Sequence, residues 1–191
     1  TLDNLFREGL DRPKYKFWDM FPDATGLVGQ FSMGNEPSFH IPYLYNFSGE
    51  PWKTQKRIRF LLDVWFKDNI FGIPGDEDGG AMGAYVVFSS MGFYPVTPGI
   101  PVYTLGSPLF EEVAITLENG NRFTLKAENC SKVNKYIQSA RLNGQPLNRT
   151  WFTHDDLMNG ATIELVMGPK PNKEWGSAPS AAPPSKLEEV N

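Results

Sequence analysis

The spacing of hydrophobic positions changes near Gly92. Before it, apolar residues recur every three or four positions, as on one face of a helix. Ile58, Leu61, Leu62, Trp65 and Phe66 carry this rhythm through residues 52–68, and Pro51 stands where a helix begins. The spacing also predicts a helix over Ala81–Met91, with small Ala81, Gly83, Ala84 and Ser89 allowing close packing. A short helix is expected over residues 40–46, after Pro37-Ser38. Leu2, Leu5, Phe6 and Leu10 would share one face of an amphipathic helix at the chain's start. Residues 17–23 and 26–33 are broken up by Gly and Pro and read as loops.

After Gly92 the period shortens to two. Residues 93–101 include Pro95, Pro98, Gly99 and Pro101, which rules out a helix there. Short β-prone runs follow at 102–105, 112–117, 122–126, 136–142 and 162–167. Val113, Ile115 and Leu117 alternate so as to place one face on a core. Glu118-Asn119-Gly120-Asn121 and Leu142-Asn143-Gly144-Gln145 carry the Asn-Gly signature of tight hairpins. The expected class is therefore α+β: helices first, then a small antiparallel β-unit. The expected organisation is a helical part over 1–98, the β-unit over 99–175, and a Ser/Ala/Pro-rich, disordered tail over 176–191.

Composition narrows the function classes. The 191 residues are 40% hydrophobic and 14% aromatic, which places the chain among globular proteins. Its net charge of −4 and lack of a basic cluster argue against nucleic-acid binding. No apolar run approaches the ~20 residues of a membrane-spanning helix. The single cysteine, Cys130, excludes an internal disulfide. Asn-X-Ser/Thr triplets stand at Asn46, Asn129 and Asn148, a pattern common by chance. The first residue is Thr1, inside or at the edge of the first amphipathic pattern, so the chain is expected to be a piece of a longer protein.

Two motifs carry candidate chemistry. Asp76-Glu77-Asp78 lies between Gly75 and the pair Gly79-Gly80. Three adjacent carboxylates repel one another unless a cation, hydrogen bonds or a substrate lies between them. Glycines on either side allow backbone shapes that a Cβ resists. Acid/base chemistry, a hard cation, or a simple cap on the following helix all remain open for this loop. The second motif is Gly34-Asn35-Glu36-Pro37-Ser38-Phe39-His40. Asn35 and Glu36 offer oxygen ligands of the kind Ca²⁺ accepts, and His40 with nearby aromatics suits a sugar. A helix N-cap by Asn35 and a structural role for His40 are the plainer alternatives.

These segments, together with Pro51-Trp52-Lys53-Thr54-Gln55, Met91-Gly92-Phe93-Tyr94-Pro95-Val96, and the closing runs Tyr103 to Phe110 and Lys170 to Ser177, resemble glycoside hydrolase family 92 over nearly the whole of 1–177. The resemblance implies a Ca²⁺-dependent, inverting exo-α-mannosidase with an (α/α)-barrel catalytic domain. Asp78 would be the main general base and Asp76 its partner. Asn35 and Glu36 would lie at the Ca²⁺ site, with His40 and Glu77 contacting substrate. Mannose-containing glycans, N-glycans or mannan, are the implied substrates, with α-1,2 linkages the expected type. The implied location is secreted, periplasmic or on the surface of a bacterium.

The family's general acid is a glutamate in a Glu-Gly-Asn-Ala-Trp-Gln-Tyr-like segment that this sequence does not contain. The resemblance thus implies a C-terminal fragment, inactive without the N-terminal part of the enzyme. A non-catalytic, Ca²⁺-dependent carbohydrate-binding domain and an interaction domain with a capping acidic loop are the alternative functions.

Overall fold

The structure is a computed structural model that describes residues 1–21, 24–75 and 77–190, without the side chains of Lys14 and Trp18. Six α-helices and ten strands are described: α1 (Leu2–Leu5), α2 (Lys14–Met20), β1 (Leu27–Val28), β2 (Phe31–Ser32), α3 (Leu44–Phe47), α4 (Pro51–Trp65), α5 (Ala81–Met91), β3 (Phe93–Tyr94), β4 (Val102–Leu105), β5 (Glu112–Thr116), β6 (Arg122–Glu128), β7 (Tyr136–Leu142), β8 (Gln145–Pro146), β9 (Trp151–Thr153), α6 (His154–Met158) and β10 (Thr162–Gly168). The class is mixed α+β.

The long periodic segments fold as their spacing predicts. Helix α4 starts at Pro51, whose missing N–H costs nothing in a first turn. It buries Ile58, Leu61 and Leu62, each worth about 1.5–3 kcal/mol on full burial. The helix stops at Trp65, three residues short of expectation, and Phe66 turns extended with ψ 117°. Helix α5 covers the expected residues and ends at Gly92, whose φ of 103° suits a glycine.

The first segments depart from expectation. α1 ends at Leu5 instead of continuing to Leu10. Tertiary contacts replace helical ones there: Phe6 packs on Phe31 at 4.8 Å and lies beneath the Arg57 guanidinium at 4.5 Å. The Gln30 amide donates to the carbonyl of Leu5, and Gly29 presses against the backbone of residues 5–7. Helix α2 covers residues expected in a loop. Pro13 precedes its first residue, and the rings of Phe17 and Phe21 meet in a tilted contact at 5.1 Å one turn apart. Pro22 and Asp23, the end of that expected loop, lie outside the described residues.

The β-part is mixed rather than antiparallel. A five-stranded sheet runs β5-β6-β10-β7-β8, and β10 pairs parallel with β6 and antiparallel with β7. Alternation along one strand cannot reveal the direction of its neighbour, so the parallel pair was hidden from the pattern. Both Asn-Gly turns join antiparallel neighbours, β5 to β6 and β7 to β8. Asn143 (φ 50°) and Gly144 (φ 77°) are both left-handed, as a type I′ turn requires. Phe123, Leu125, Ile163 and Leu165 point into the core of this sheet with Phe152 and Leu157.

The helical and β-parts are joined by buried polar contacts. Gln55 on α4 accepts from the Ile137 amide at 3.0 Å. Arg59 donates to the carbonyls of Pro108 and Ser131. The Asn46 side-chain amide donates to the Leu105 carbonyl at 2.8 Å. The 176–191 segment, expected from composition to be disordered, carries the short 3-10 helix Pro179–Ala181. Ala181 is buried there, its amide-flanking carbonyl accepting from both the backbone and the hydroxyl of Thr150.

Candidate active site

The Gly34-Asn35-Glu36 segment leaves a small hairpin. β1 and β2 pair, and the hairpin continues outward through Met33 N–H to Gly26 O and Gly34 N–H to Thr25 O. Asn35 is extended, and a 3-10 helix, Glu36–Ser38, follows it with Pro37 in the first turn. The acidic loop lies about 40 residues later, between α4 and α5.

The fold brings these two motifs into backbone contact. A Cβ built on Gly75 would fall 2.2 Å from the Gly34 carbonyl oxygen and 2.7 Å from the Thr25 hydroxyl. One built on Gly34 would fall 1.9 Å from the same hydroxyl and 3.1 Å from the Pro74 carbonyl. Both positions therefore exclude any side chain, and Gly75 has a left-handed φ of 81° as well. Beneath the contact, Phe39 of the first motif packs against Tyr85 of α5 at 4.7 Å. Tyr85 meets Tyr94 at 5.3 Å, and Tyr94 stacks on Tyr43 at 5.5 Å. Burial holds the Tyr43 and Tyr85 phenols well above their usual pKa, so both stay neutral. A rigid aromatic layer thus supports both motifs at once.

The acidic loop is fixed to α5 by Glu77. Its carboxylate accepts from the amides of Met82 at 3.2 Å and Gly83 at 2.8 Å, two of the amides a helix N-terminus leaves open. The Asp78 carbonyl accepts from Ala81 N–H at 3.1 Å. Asp78 is exposed beside this cap, on a loop whose Gly79 and Gly80 both have positive φ. Asp76, expected as its partner, lies outside the described residues.

Asn35 and Glu36 are both half-buried, and His40 is exposed, its carbonyl starting the next 3-10 turn by accepting from Tyr43. The Oε1 atom of Glu36 is enclosed and has no hydrogen-bond partner among the described residues. A buried carboxylate oxygen left unpaired is costly. A hard cation would satisfy it, so the donor set fits Ca²⁺ in chemical type. Among the described residues no three His, Cys, Asp or Glu side chains converge. Carbonyl and amide oxygens, which Ca²⁺ also accepts, are present here in Asn35 and the loop backbones. Clefts of 420, 450 and 310 Å³ elsewhere on the molecule are lined by no residue of either motif.

Thr25 is the residue that the sequence did not single out. Its hydroxyl sits at the junction of the two motifs and is buried with no hydrogen-bond partner among the described residues. A Thr before a turn glycine has no pattern that would flag it, since its neighbours in space, Gly34 and Gly75, are nine and fifty residues away.

The profile of the glycosyl hydrolase family 92 catalytic domain matches residues 1–169. The fold superposes with a TM-score of 0.87 on a family GH92 α-mannosidase from Bacteroides thetaiotaomicron solved in complex with mannoimidazole, at 34% identity, covering 99% of this chain and 25% of that one. A family GH92 inverting mannosidase from Bacteroides thetaiotaomicron VPI-5482 matches at 38% identity and a TM-score of 0.81, covering 95% of this chain and 25% of that one. A protein of Arthroderma benhamiae named as an uncharacterized secreted glycosidase is 40% identical over 162 residues, which are 80% of this chain and 20% of that protein. The chain spans a quarter or less of the length of these relatives. On the extent of these matches, the chain belongs to glycosyl hydrolase family 92.

Proposed function

We propose that this chain is the C-terminal portion of an inverting, Ca²⁺-dependent exo-α-mannosidase acting on terminal α-mannosides, with α-1,2-linked glycans as the first substrates to test. The observation that supports the reading is the backbone contact of Gly34, which precedes Asn35 and Glu36, with Pro74 and Gly75 at the start of the acidic loop. The names of the solved family members, α-mannosidase and inverting mannosidase, support the substrate class.

In this reading Asp78, with Asp76 as partner, accepts a proton from the water that attacks the anomeric carbon. Inversion requires that water to enter opposite the departing oxygen, from a base about 6.5–9.5 Å from the acid. The acid that protonates the leaving oxygen is assigned to a glutamate outside this chain. Asn35 and Glu36 would hold Ca²⁺. When bound, the ion supplies positive charge to grip a pair of sugar hydroxyls. His40, exposed at the end of the same motif, would contact the sugar ring. Glu77 spends both its carboxylate oxygens on α5 amides. We therefore assign it to holding the Asp78 loop rather than to the sugar contact that the resemblance implies. Helices α4 and α5 would belong to the (α/α)-barrel of the complete catalytic domain, and residues 99–175 would form the β-unit packed on it. A secreted location is supported by the name of the fungal relative. No helix among the described residues is long and apolar enough to cross a membrane.

Calcium titration calorimetry on the chain tests the metal assignment. Saturable binding that Glu36→Gln weakens at least tenfold is expected, and binding indifferent to that change would overturn it. Incubation with α-1,2-mannobiose tests the division of labour. No mannose should be released by the chain alone. Release that Asp78→Ala abolishes would refute the placement of the acid outside it.

A further inference from the structure

The three Asn-X-Ser/Thr triplets play no part in the candidate site, and the fold separates them. Asn46 is fully buried in α3, and its side-chain amide, the atom a glycan would occupy, donates to the Leu105 carbonyl. Asn129 is exposed but sits in a closed turn. Its φ is 63°, its carbonyl accepts from the Asn134 side chain, and Ser131 Oγ accepts from the Asn134 amide. The middle residue of that triplet, Cys130, is buried. Asn148 is different. It is exposed between β8 and β9, and no hydrogen bond holds its side-chain amide among the described residues. It lies on the rim shared by two open surface clefts of 420 and 450 Å³, which border the 178–181 segment on one side and Asn172 on the other. A bulky polar group on Asn148 Nδ2 has room there and displaces nothing.

We propose that Asn148 is an N-glycosylation acceptor when the chain passes through a eukaryotic secretory pathway, and that Asn46 is unmodified in the folded product. The triplet Asn148-Arg149-Thr150 supplies the acceptor pattern. A fungal relative at 40% identity is named as a secreted glycosidase, which makes that route relevant to this sequence. In the transfer, Asn148 Nδ2 bonds to the anomeric carbon of a lipid-diphosphate-linked oligosaccharide. The bond from that carbon to the phosphate oxygen breaks, the lipid diphosphate leaves with the electron pair, and the amide proton passes to the transferase's base. No oxidation or reduction is involved. Transfer takes place before folding, so any triplet can be modified at first. A chain carrying a glycan on Asn46 would then have to bury it in place of the Leu105 bond and would not reach the folded state.

The test is secretion of this chain from yeast. The purified product is treated with peptide-N-glycosidase, which converts each glycan-bearing Asn to Asp and marks it for peptide mass spectrometry. The expected result is Asp at 148, unmodified Asn at 46, and loss of one glycan from the intact mass in Asn148→Gln. That variant should keep the parent's melting temperature, because the side chain is exposed. Thr150→Ser, which retains both the acceptor pattern and the hydroxyl to Ala181, should keep the glycan. An unmodified Asn148 in the secreted protein, or a glycan on Asn46 in folded monomer, would overturn the proposal.

Discussion

Replacing Gly75 by Ala tests the contact on which the proposed site rests. The substitution has two costs. The first is conformational: at φ 81° a Cβ crowds its own carbonyl, for about 1–2 kcal/mol. The second is local. The new methyl would lie 2.2 Å from the Gly34 carbonyl oxygen and 2.7 Å from the Gly34 Cα, where ordinary contact begins at 3.4 Å. These are backbone atoms that no rotamer change can move aside, so overpacking should add about 1–3 kcal/mol. Gly79 provides the control. It too has a positive φ, of 62°, but nothing lies within 4 Å of its Cβ position. Gly79→Ala should therefore carry the conformational cost alone. In urea unfolding, Gly75→Ala should be less stable than Gly79→Ala by about 1–3 kcal/mol. Calcium titration should separate them again, with binding weakened in Gly75→Ala and retained in Gly79→Ala. Equal unfolding midpoints for the two variants would mean that the loops do not touch in solution, and the shared-site argument would fail with them.

Other substitutions probe single contacts. Glu77→Ala leaves the Met82 and Gly83 amides uncapped and should lower stability by about 1–2 kcal/mol, an effect reduced by salt. Gln55→Ala strands the buried Ile137 amide between the helical and β-parts and should cost about 1–3 kcal/mol in the same urea assay. Asp3 accepts hydrogen bonds from Lys53 at 2.7 Å and Tyr45 at 2.8 Å, which hold its carboxyl below the usual value of 3.8. A depressed carboxyl contributes stability that is fully present above that usual value and is lost as the pH falls through the lowered one. The parent should lose stability in this window faster than Asp3→Asn, and identical acid profiles would refute the link.

The sequence disclosed most where periodicity is long. Helix α5 and strands β4 and β7 fall on their expected residues, because eleven residues of helical spacing, or seven of alternation beside an Asn-Gly turn, leave few alternatives. It disclosed least where tertiary contact outweighs propensity, as at α1, which Phe6 leaves early to pack under Arg57. The two site motifs were visible as motifs, yet their meeting was not. That depends on Gly34, Gly75 and Thr25 converging from separate parts of the chain. The ambiguity of the acidic loop was also real: its middle carboxylate does cap the following helix, while Asp78 beside it remains exposed.

The position of β10 has a consequence for synthesis. It follows every other described strand along the chain and stands at the centre of its sheet, between β6 and β7. Until residues 162–168 leave the ribosome, those two strands have nothing to pair with along their inner edges, and neither local hairpin can complete the layer. Joining β6 to β10 side by side also requires closing a long loop, a slow step in a nascent chain. Early termination just upstream of Thr162 would therefore leave two unsatisfied strand edges, the usual starting point for aggregation. For this family member, production should depend on how the ribosome paces the codons of residues 162–168 more than on the helices made first.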